Sequence, residues 1–223
     1  MPVVTIRGQL GSGAPEIGRL IADKLGIDYV DREIIEQVAK QLTWTKQGIE
    51  MKETPPGSLS GKIAESFAHY GVLSGGPLGY QGAYLSTLEI PLDDTHYLTG
   101  LESVIKELGQ SNSIVVRGRG SQFILKDYPG SLHILVVAPL ELRVKRIMKE
   151  MNLDEDAAKK EIARFDSSRR EFIKRYFQAE LENPIHYDLV INTEHLNYEA
   201  AASVVVSTTQ AIEREVPGAK PVL

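Results

Sequence analysis

The chain has 223 residues, a formal net charge of -5 and 42% hydrophobic residues, a content sufficient for one buried core. The acidic balance argues against a general nucleic-acid-binding or membrane-binding surface, so any basic site must be local. There is no cysteine, which excludes disulfides and thiolate chemistry, and no leader-like N-terminus or long apolar run, so we expect a cytoplasmic protein without nucleic-acid or membrane partners.

The first predicted elements are a strand, a glycine-rich loop and a helix. A β-branched run at residues 3–6 precedes the loop, and apolar residues at helical spacing follow it. Gly8, Gly11 and Gly13 allow backbone N–H groups to converge at the helix N-terminus, where the macrodipole favours an anion such as phosphate. The spacing of Gly8 and Gly13 is that of the Walker A loop, but Ala14 and Pro15 occupy its lysine and hydroxyl positions. The loop therefore predicts phosphate binding more strongly than phosphoryl transfer.

Two alternatives remain for this loop. One is a tight strand-to-helix turn that holds no ligand. The other is a dinucleotide-binding loop, because Gly11 and Gly13 begin a G-x-G pattern and Asp31 lies 20 residues after Gly11. The dinucleotide pattern fails at its third glycine, where Glu16 stands.

The next predicted features are the end of the first helix, a short second strand and an insertion. Gly26 is predicted to end the first helix, and residues 27–30 to form a short strand. Asp31 can cap the following helix, and it also follows a strand at the edge where open α/β sheets bind ligands. Residues 43–94 lose periodicity and include a glycine-rich run at 71–82. We expect an insertion there, either covering a substrate or without catalytic consequence.

A second glycine turn follows the predicted strand at residues 113–117. It places Arg119 between Gly118 and Gly120. The planar guanidinium of arginine fits a phosphate bidentately, so Arg119 is predicted to anchor the phosphate of an acceptor. The alternative is a solvated loop arginine.

The next segment predicts a buried parallel strand at residues 132–137 and a helix that begins at Pro139. Arg143 and Arg146 of this helix are predicted to face outward. Asn152 and Glu155 predict an approximate capping box for a long charged helix that reaches about residue 181.

The long helix is predicted either to be solvated or to form a lid. A solvated helix would hold ordinary i,i+4 pairs such as Asp166 with Arg170. Its arginines in an acidic chain, close to two glycine turns, favour a lid that brings Arg164, Arg169 and Arg170 towards phosphates. A last strand at 187–191 and a helix starting at Asn197 complete the pattern.

Five strands alternating with helices predict a doubly wound parallel sheet with right-handed crossovers. We expect one domain over residues 1–223, with the insertion at about 43–94 and the lid at about 154–182. The C-terminal ends of the strands would place the Gly8 loop, Asp31 and Arg119 at one edge, where the functional site is expected.

In order and spacing, the chain resembles the cytidylate-kinase-like family of nucleoside monophosphate kinases within the P-loop fold. The segments that carry the resemblance are Gly11-Ser12-Gly13 and residues 29–33, 116–120, 137–143, 166–169 and 187–193. The resemblance implies a P-loop kinase sheet with an inserted acceptor-binding region and a helical lid. It also implies ATP as phosphoryl donor, CMP or a related monophosphate as acceptor, and Mg²⁺ bridging the phosphates of the donor.

The same resemblance implies roles for individual residues. Residues implied to bind the donor are Gly8, Gly11, Ser12, Gly13, Ala14 and Asn192. Residues implied to bind the acceptor are Asp31, Arg32, Arg119 and Asp166. Residues implied to act in catalysis are Arg119, Arg164, Arg169 and Arg170. The sequence does not indicate the magnesium ligand.

Three functional hypotheses follow. The first is transfer of the γ-phosphoryl group of ATP to a nucleoside monophosphate, with arginines partly replacing the absent lysine. The second is a nucleotide or phosphate sensor without catalysis, suggested by Ala14 and Pro15. The third is a P-loop kinase for another small metabolite.

Overall fold

A computed structural model describes residues 2–31 and 113–215, together with four residues in helical conformation: Glu102, Ile105, Lys106 and Gly109. The predicted insertion at residues 43–94 lies outside the described residues. The chain divides into two units, of which the first comprises Met1–Tyr29 and Ser113–Leu223 and the second comprises Val30–Asn112. The first unit holds the glycine-rich loop and nearly all of the described structure.

The described strands form one five-stranded sheet. The strands are β1 (Val3–Gly8), β2 (Asp28–Val30), β3 (Ile114–Arg117), β4 (Ser131–Val137) and β5 (Leu189–Asn192). Their order across the sheet is β2-β3-β1-β4-β5. The pairs that β1 forms with β3 and β4, and that β4 forms with β5, are parallel. The predicted α/β fold with a five-stranded parallel sheet is confirmed.

Helices alternate with strands in the described part of the chain. The helices described in full are α1 (Ala14–Leu25), α2 (Ser121–Ile124), α3 (Leu140–Met151), α4 (Glu155–Phe177) and α5 (Tyr198–Glu215), with a 3₁₀ turn at Pro184–His186. Helices α1 and α5 pack on the face of the sheet that carries Val4 and Ile6. A smaller cluster joins α3 to α4. None of the described helices is both long and apolar enough to cross a membrane.

Local signals in the sequence predicted several helix ends, but not all. Gly26 ends α1 in the left-handed conformation with φ 65°, as predicted. The predicted capping box of Asn152 with Glu155 is wrong, because Asp154 is the N-cap of α4 and its carboxylate accepts the N–H of Ala157 at 2.8 Å. Asn152 instead ends α3 in the left-handed conformation. Helix α4 ends at Phe177, earlier than predicted.

A buried histidine joins β4 to β1 and to the residue that precedes β5. The Nδ1 atom of His133 in β4 is hydrogen-bonded to Oγ1 of Thr5 in β1 at 2.8 Å, and its Nε2 atom to Oγ of Ser131 at 3.2 Å. The Ser131 hydroxyl donates to the carbonyl of Leu125, so its oxygen accepts from an Nε2–H, and the Thr5 hydroxyl donates to Nδ1. The N–H of His133 donates to the Asp188 carboxylate at 2.7 Å, just before β5. These contacts suit the neutral imidazole.

We expect this histidine to make stability depend on pH. Burial lowers the pKa of His133, an effect that the nearby Asp188 carboxylate opposes only in part. The unfolded chain therefore binds a proton more readily than the folded protein. The free energy of unfolding should reach its full value above pH 6.5, which is the ordinary pKa of histidine, and should fall as the pH drops below it.

Urea unfolding at pH 7.5 and pH 5.5 tests this expectation. The wild-type protein should lose more stability between the two pH values than a His133→Gln variant. His195→Gln is the matched control, because the side chain of His195 is 90% exposed. An equal loss in the wild-type protein and in His133→Gln would contradict the role assigned to His133.

Candidate active site

The glycine loop leaves β1 at Gly8 and enters α1 at Gly13. A side chain at Gly8 would collide with Oγ of Ser12 and Cβ of Ala14, and its Cβ would lie 3.2 Å from the Val136 carbonyl oxygen. Gly13 is the N-cap of α1 with φ 91°, a left-handed conformation that glycine adopts without strain. The tight turn therefore places the N-terminus of α1, with its partial positive charge, beside the end of β1.

A pocket opens over this loop. The space above the loop is about 450 Å³ when the open solvent at its mouth is counted. Its walls outside the loop comprise three arginines, two aromatic residues and two glutamates: Arg117, Arg146, Arg169, Phe165, Tyr198, Glu16 and Glu150. Three guanidinium groups around a helix N-terminus favour an anionic ligand.

The side chain of Arg146 is hydrogen-bonded to the backbone of the loop. Its Nη1 donates to the Gly11 carbonyl at 3.1 Å and to Oγ1 of Thr193 at 2.9 Å, and its Nη2 donates to the Thr193 carbonyl at 3.0 Å. The Thr193 hydroxyl donates in turn to the Ser12 carbonyl at 2.8 Å. Thr193, the residue after β5, therefore contacts the Ser12 carbonyl directly and is linked to the Gly11 carbonyl through Arg146.

Tyr198, the first residue of α5, covers Gly13. A Cβ atom on Gly13 would lie 2.6 Å from Cζ of the Tyr198 ring, so only glycine fits beneath it. The Arg146 guanidinium lies over the same ring, 5.2 Å from its centroid. Burial raises the pKa of the Tyr198 phenol, which is therefore neutral at physiological pH. Tyr198 and Arg146 form one wall of the pocket.

A buried ion pair connects α4 to the other side of the loop. Nη1 of Arg143 donates to Oδ2 of Asp166 at 2.7 Å, and both side chains are less than 10% exposed. The Leu10 N–H donates to Oδ1 of Asp166 at 3.1 Å, and the Leu10 carbonyl accepts from Arg143 at 3.3 Å. The prediction that Arg143 faces outward is therefore wrong. The alternative pairing of Asp166 with Arg170 is also wrong, because Arg170 pairs with Glu182.

Arg169 approaches the loop from α4. Its Nη1 donates to the Gly8 carbonyl at 3.4 Å, and its guanidinium carbon lies 3.3 Å from the centroid of the Phe165 ring. One turn separates these two residues on the helix, which aligns the ring and the guanidinium. Helix α4 therefore presents a positive charge to the pocket from a position fixed by the Asp166 contacts.

One further charge lies close to the loop. Burial lowers the pKa of Arg7, the residue before Gly8, to about 10, although Tyr187 and Asp166 act to raise it. Arg7 therefore stays protonated at neutral pH and adds to the positive potential at the start of the loop.

The second glycine turn has an unusual backbone. Gly118, Arg119 and Gly120 have φ values of 81°, 57° and 71°, so three consecutive residues are left-handed. A non-glycine residue in this conformation is uncommon and is often found at functional sites. The ring of Phe177, at the end of α4, covers Gly120 and stacks on Phe123 at 5.0 Å between centroids. Helix α4 thus contacts both glycine turns.

The structure brings some of the sequence-predicted site residues together. Gly8, Gly11, Gly13, Ala14 and Arg169 line the pocket, and Ser12 is fully buried within the loop. Arg164 and Arg170 form solvent-exposed ion pairs with Glu161 and Glu182, and neither is among the residues that line this pocket.

The other predicted site residues are Asn192, Asp31 and Arg32. Asn192 is exposed, and its side-chain oxygen accepts the N–H of Glu194 at 3.0 Å. Asp31 is buried and belongs to the second unit. Arg32 lies outside the described residues. The roles given to all these residues stay predictions.

Sequence reasoning missed residues whose position depends on packing. Arg117, Arg146 and Tyr198 line the pocket, and none of them belongs to a phosphate-binding motif. Arg117 directly precedes the second glycine turn at a strand end, which was a usable signal. Arg146 and Tyr198 had none, because only the packing of α3 and α5 brings them to the loop.

Comparisons with known proteins identify the family and the fold of the chain. The model of the cytidylate kinase-like family matches residues 3–195. The cytidylate kinase of Methanocaldococcus jannaschii is 24% identical over 95% of this chain and 99% of its own length. The uronate isomerase of Corynebacterium glutamicum is 38% identical over 98 residues, which cover 44% of this chain and 19% of that protein. An uncharacterized protein from Eubacterium ventriosum has a similar fold, with a TM-score of 0.66 and 16% identity over 95% of this chain and 99% of that chain.

Proposed function

Because the chain belongs to the cytidylate kinase-like family, we propose that it transfers the γ-phosphoryl group of ATP to CMP or a related nucleoside monophosphate. The observation that carries this proposal is the pocket over the glycine loop, with Arg117, Arg146 and Arg169 on its walls. Phosphoryl transfer needs little covalent help from a protein and depends on positioning and charge neutralisation. A glycine loop with guanidinium groups supplies both.

The donor is assigned to this pocket. The backbone N–H groups at the start of α1 bind its phosphates, and Arg169 neutralises charge from the side of α4. The acceptor phosphate is assigned to Arg119, which stands in the left-handed conformation within the second glycine turn. Helix α4 contacts both turns, through Asp166 at Leu10 and through Phe177 at Gly120.

Mg²⁺ is proposed to enter with ATP. The described residues contain no group of three or more His, Asp or Glu side chains that could hold a metal ion by themselves. Glu16 and Glu150 line the pocket, and one or two carboxylates together with nucleotide phosphates are the usual ligands of Mg²⁺. The pocket therefore fits a metal that the nucleotide brings. When bound, Mg²⁺ neutralises phosphate charge.

ADP formation with ATP and a panel of monophosphates, CMP first, tests the proposed activity. The wild-type protein should form ADP; unless another cation of the pocket replaces the Walker lysine, turnover should be slow, because loss of one such electrostatic donor costs roughly 10²–10³ in rate. An Arg119→Ala variant should raise KM for the acceptor and lower kcat, while ATP binding is kept. Turnover of the wild-type protein no higher than that of Arg119→Ala would contradict catalysis.

A nucleotide sensor without catalysis is the second candidate. Ala14 and Pro15, which replace the Walker lysine and hydroxyl, favour it. It predicts stabilisation without product, amounting to about 2.7 kcal/mol at a ligand concentration 100 times Kd. A protein that ATP and CMP both fail to stabilise is not such a sensor. If other phosphate acceptors react and monophosphates do not, the protein is a kinase for another small metabolite.

A further inference from the structure

The loop lacks the ammonium that Walker loops direct at the phosphates of the donor. Ala14 occupies that position, and its side chain ends at a Cβ atom that lies beside Gly8. Transfer of a γ-phosphoryl group spreads negative charge over oxygens that a lysine normally contacts. If the proposed function holds, another residue of the pocket must supply this cation.

Arg117 stands at the end of β3 beside the start of the loop. It pairs with Ile6 in the parallel register, and the N–H of the next residue, Gly118, donates to the Ile6 carbonyl at 3.2 Å. Gly8 is two residues after Ile6 on the neighbouring strand. Arg117 therefore lies on the strand next to β1, level with the residue two positions before Gly8, the first glycine of the loop.

The alternation of side chains places Arg117 on the α1 side of the sheet. Val115 belongs to the core cluster that includes α1, together with Val4 and Ile6 of β1. Residues two apart on a strand lie on the same face, so Arg117 faces the side where α1 begins. In agreement, Arg117 lines the pocket with Ala14 and Pro15. Arg117 therefore lines the same pocket as Ala14, the residue at the Walker lysine position.

The other two arginines of the pocket contact the loop from helices α3 and α4. Arg146 donates three hydrogen bonds to Gly11 and Thr193, which maintain the shape of the loop. Arg169 is carried by α4 and lies against Phe165. Arg117 is carried by β3, an interior strand of the sheet, and such an element positions a functional group more precisely than a loop does.

We infer that Arg117 replaces the missing lysine and that its guanidinium binds the β- and γ-phosphate oxygens of the donor. The inference rests on the proposed function. It predicts a dependence on phosphate number, because AMP lacks both groups that Arg117 contacts. Loss of Arg117 should weaken ATP binding about 10- to 100-fold, the range expected for a charge-assisted hydrogen bond, and should leave AMP binding nearly unchanged.

Calorimetric titration with ATP and AMP tests this dependence in the wild-type protein, Arg117→Ala, Arg117→Lys and Arg214→Ala. Arg117→Lys keeps the charge and should recover most of the ATP affinity. Arg214 is exposed in the last turn of α5, so Arg214→Ala is a control for the loss of one positive charge. Circular dichroism of each variant checks the fold, and Arg117→Lys provides a second test if Arg117→Ala does not fold.

A restored Walker lysine gives the decisive comparison. Introducing Ala14→Lys into Arg117→Ala should recover ATP affinity and ADP formation, because it supplies a cation at the Walker lysine position. Equal weakening of ATP and AMP binding by Arg117→Ala, or no weakening at all, overturns the inference while the proposed function stands. A wild-type protein that does not bind ATP overturns the proposed function, and the inference with it.

Discussion

Replacing Asp166 with alanine should lower the free energy of unfolding by about 3–5 kcal/mol, the cost of leaving one partner of a buried ion pair uncompensated. Arg143 would keep its charge at a site where it is only 7% exposed, and the Leu10 N–H would lose its acceptor. The same change should loosen the loop, because both peptide groups of Leu10 are bound by this pair. Urea unfolding at neutral pH measures the loss.

Two further variants test whether the loss of stability comes from breaking the ion pair or only from changing a residue of α4. Glu171→Ala removes an exposed carboxylate from the same helix and should change stability by less than about 0.5 kcal/mol. The double variant Asp166→Leu with Arg143→Met removes both charges and should be more stable than Asp166→Ala. The free energy of unfolding that the double variant loses can be compared with the sum of the losses from Asp166→Leu alone and Arg143→Met alone. If the two are equal, the uncompensated buried charge is not the cause of the instability.

Replacing Arg169 with alanine should reduce kcat/KM for ATP by roughly 10²–10³, equivalent to about 2.7–4 kcal/mol of transition-state stabilisation. Arg169 is the residue of α4 whose guanidinium both contacts the loop, at the Gly8 carbonyl, and lines the pocket. Steady-state ADP formation at varied ATP measures the effect. A fall in kcat as large as the fall in kcat/KM would assign Arg169 to the transition state.

Lys174→Ala is the matched control for Arg169→Ala. Lys174 is exposed on the same helix, two turns nearer its C-terminal end than Asp166. Its loss removes one positive charge without touching the loop, so both kinetic constants should stay within twofold of the wild-type values. Equal losses in the two variants would mean that only the general charge of α4 matters.

Local patterns in the sequence predicted the sheet and its loops well. The β-branched run before Gly8, the glycine at position 26 and the side-chain cap at Asn197 are signals that act within a few residues, and each corresponds to a real element boundary. The apolar run at 132–137 belongs to β4, which has neighbours on both sides. Signals of this kind do not depend on how distant segments pack.

The polar contacts around the loop could not be predicted in the same way. Arg143 has the spacing of a surface residue on a charged helix, yet it is buried because Asp166 and Leu10, from two other elements, meet it. Asp166 pairs across 23 positions of sequence, whereas helical spacing alone suggested a partner four residues away. Tyr198 covers Gly13 only because α5 packs beside α1.

The central claim is that backbone amides at the start of α1 bind nucleotide phosphates without a Walker lysine. The most direct test follows the backbone amide NMR signals of Gly11, Ser12 and Gly13 during titration with ATP and, separately, with adenosine. We expect ATP to shift these amides in a saturable manner and adenosine to leave them nearly unchanged. Saturable ATP binding without movement of these three signals, or equal shifts with adenosine, would contradict the claim.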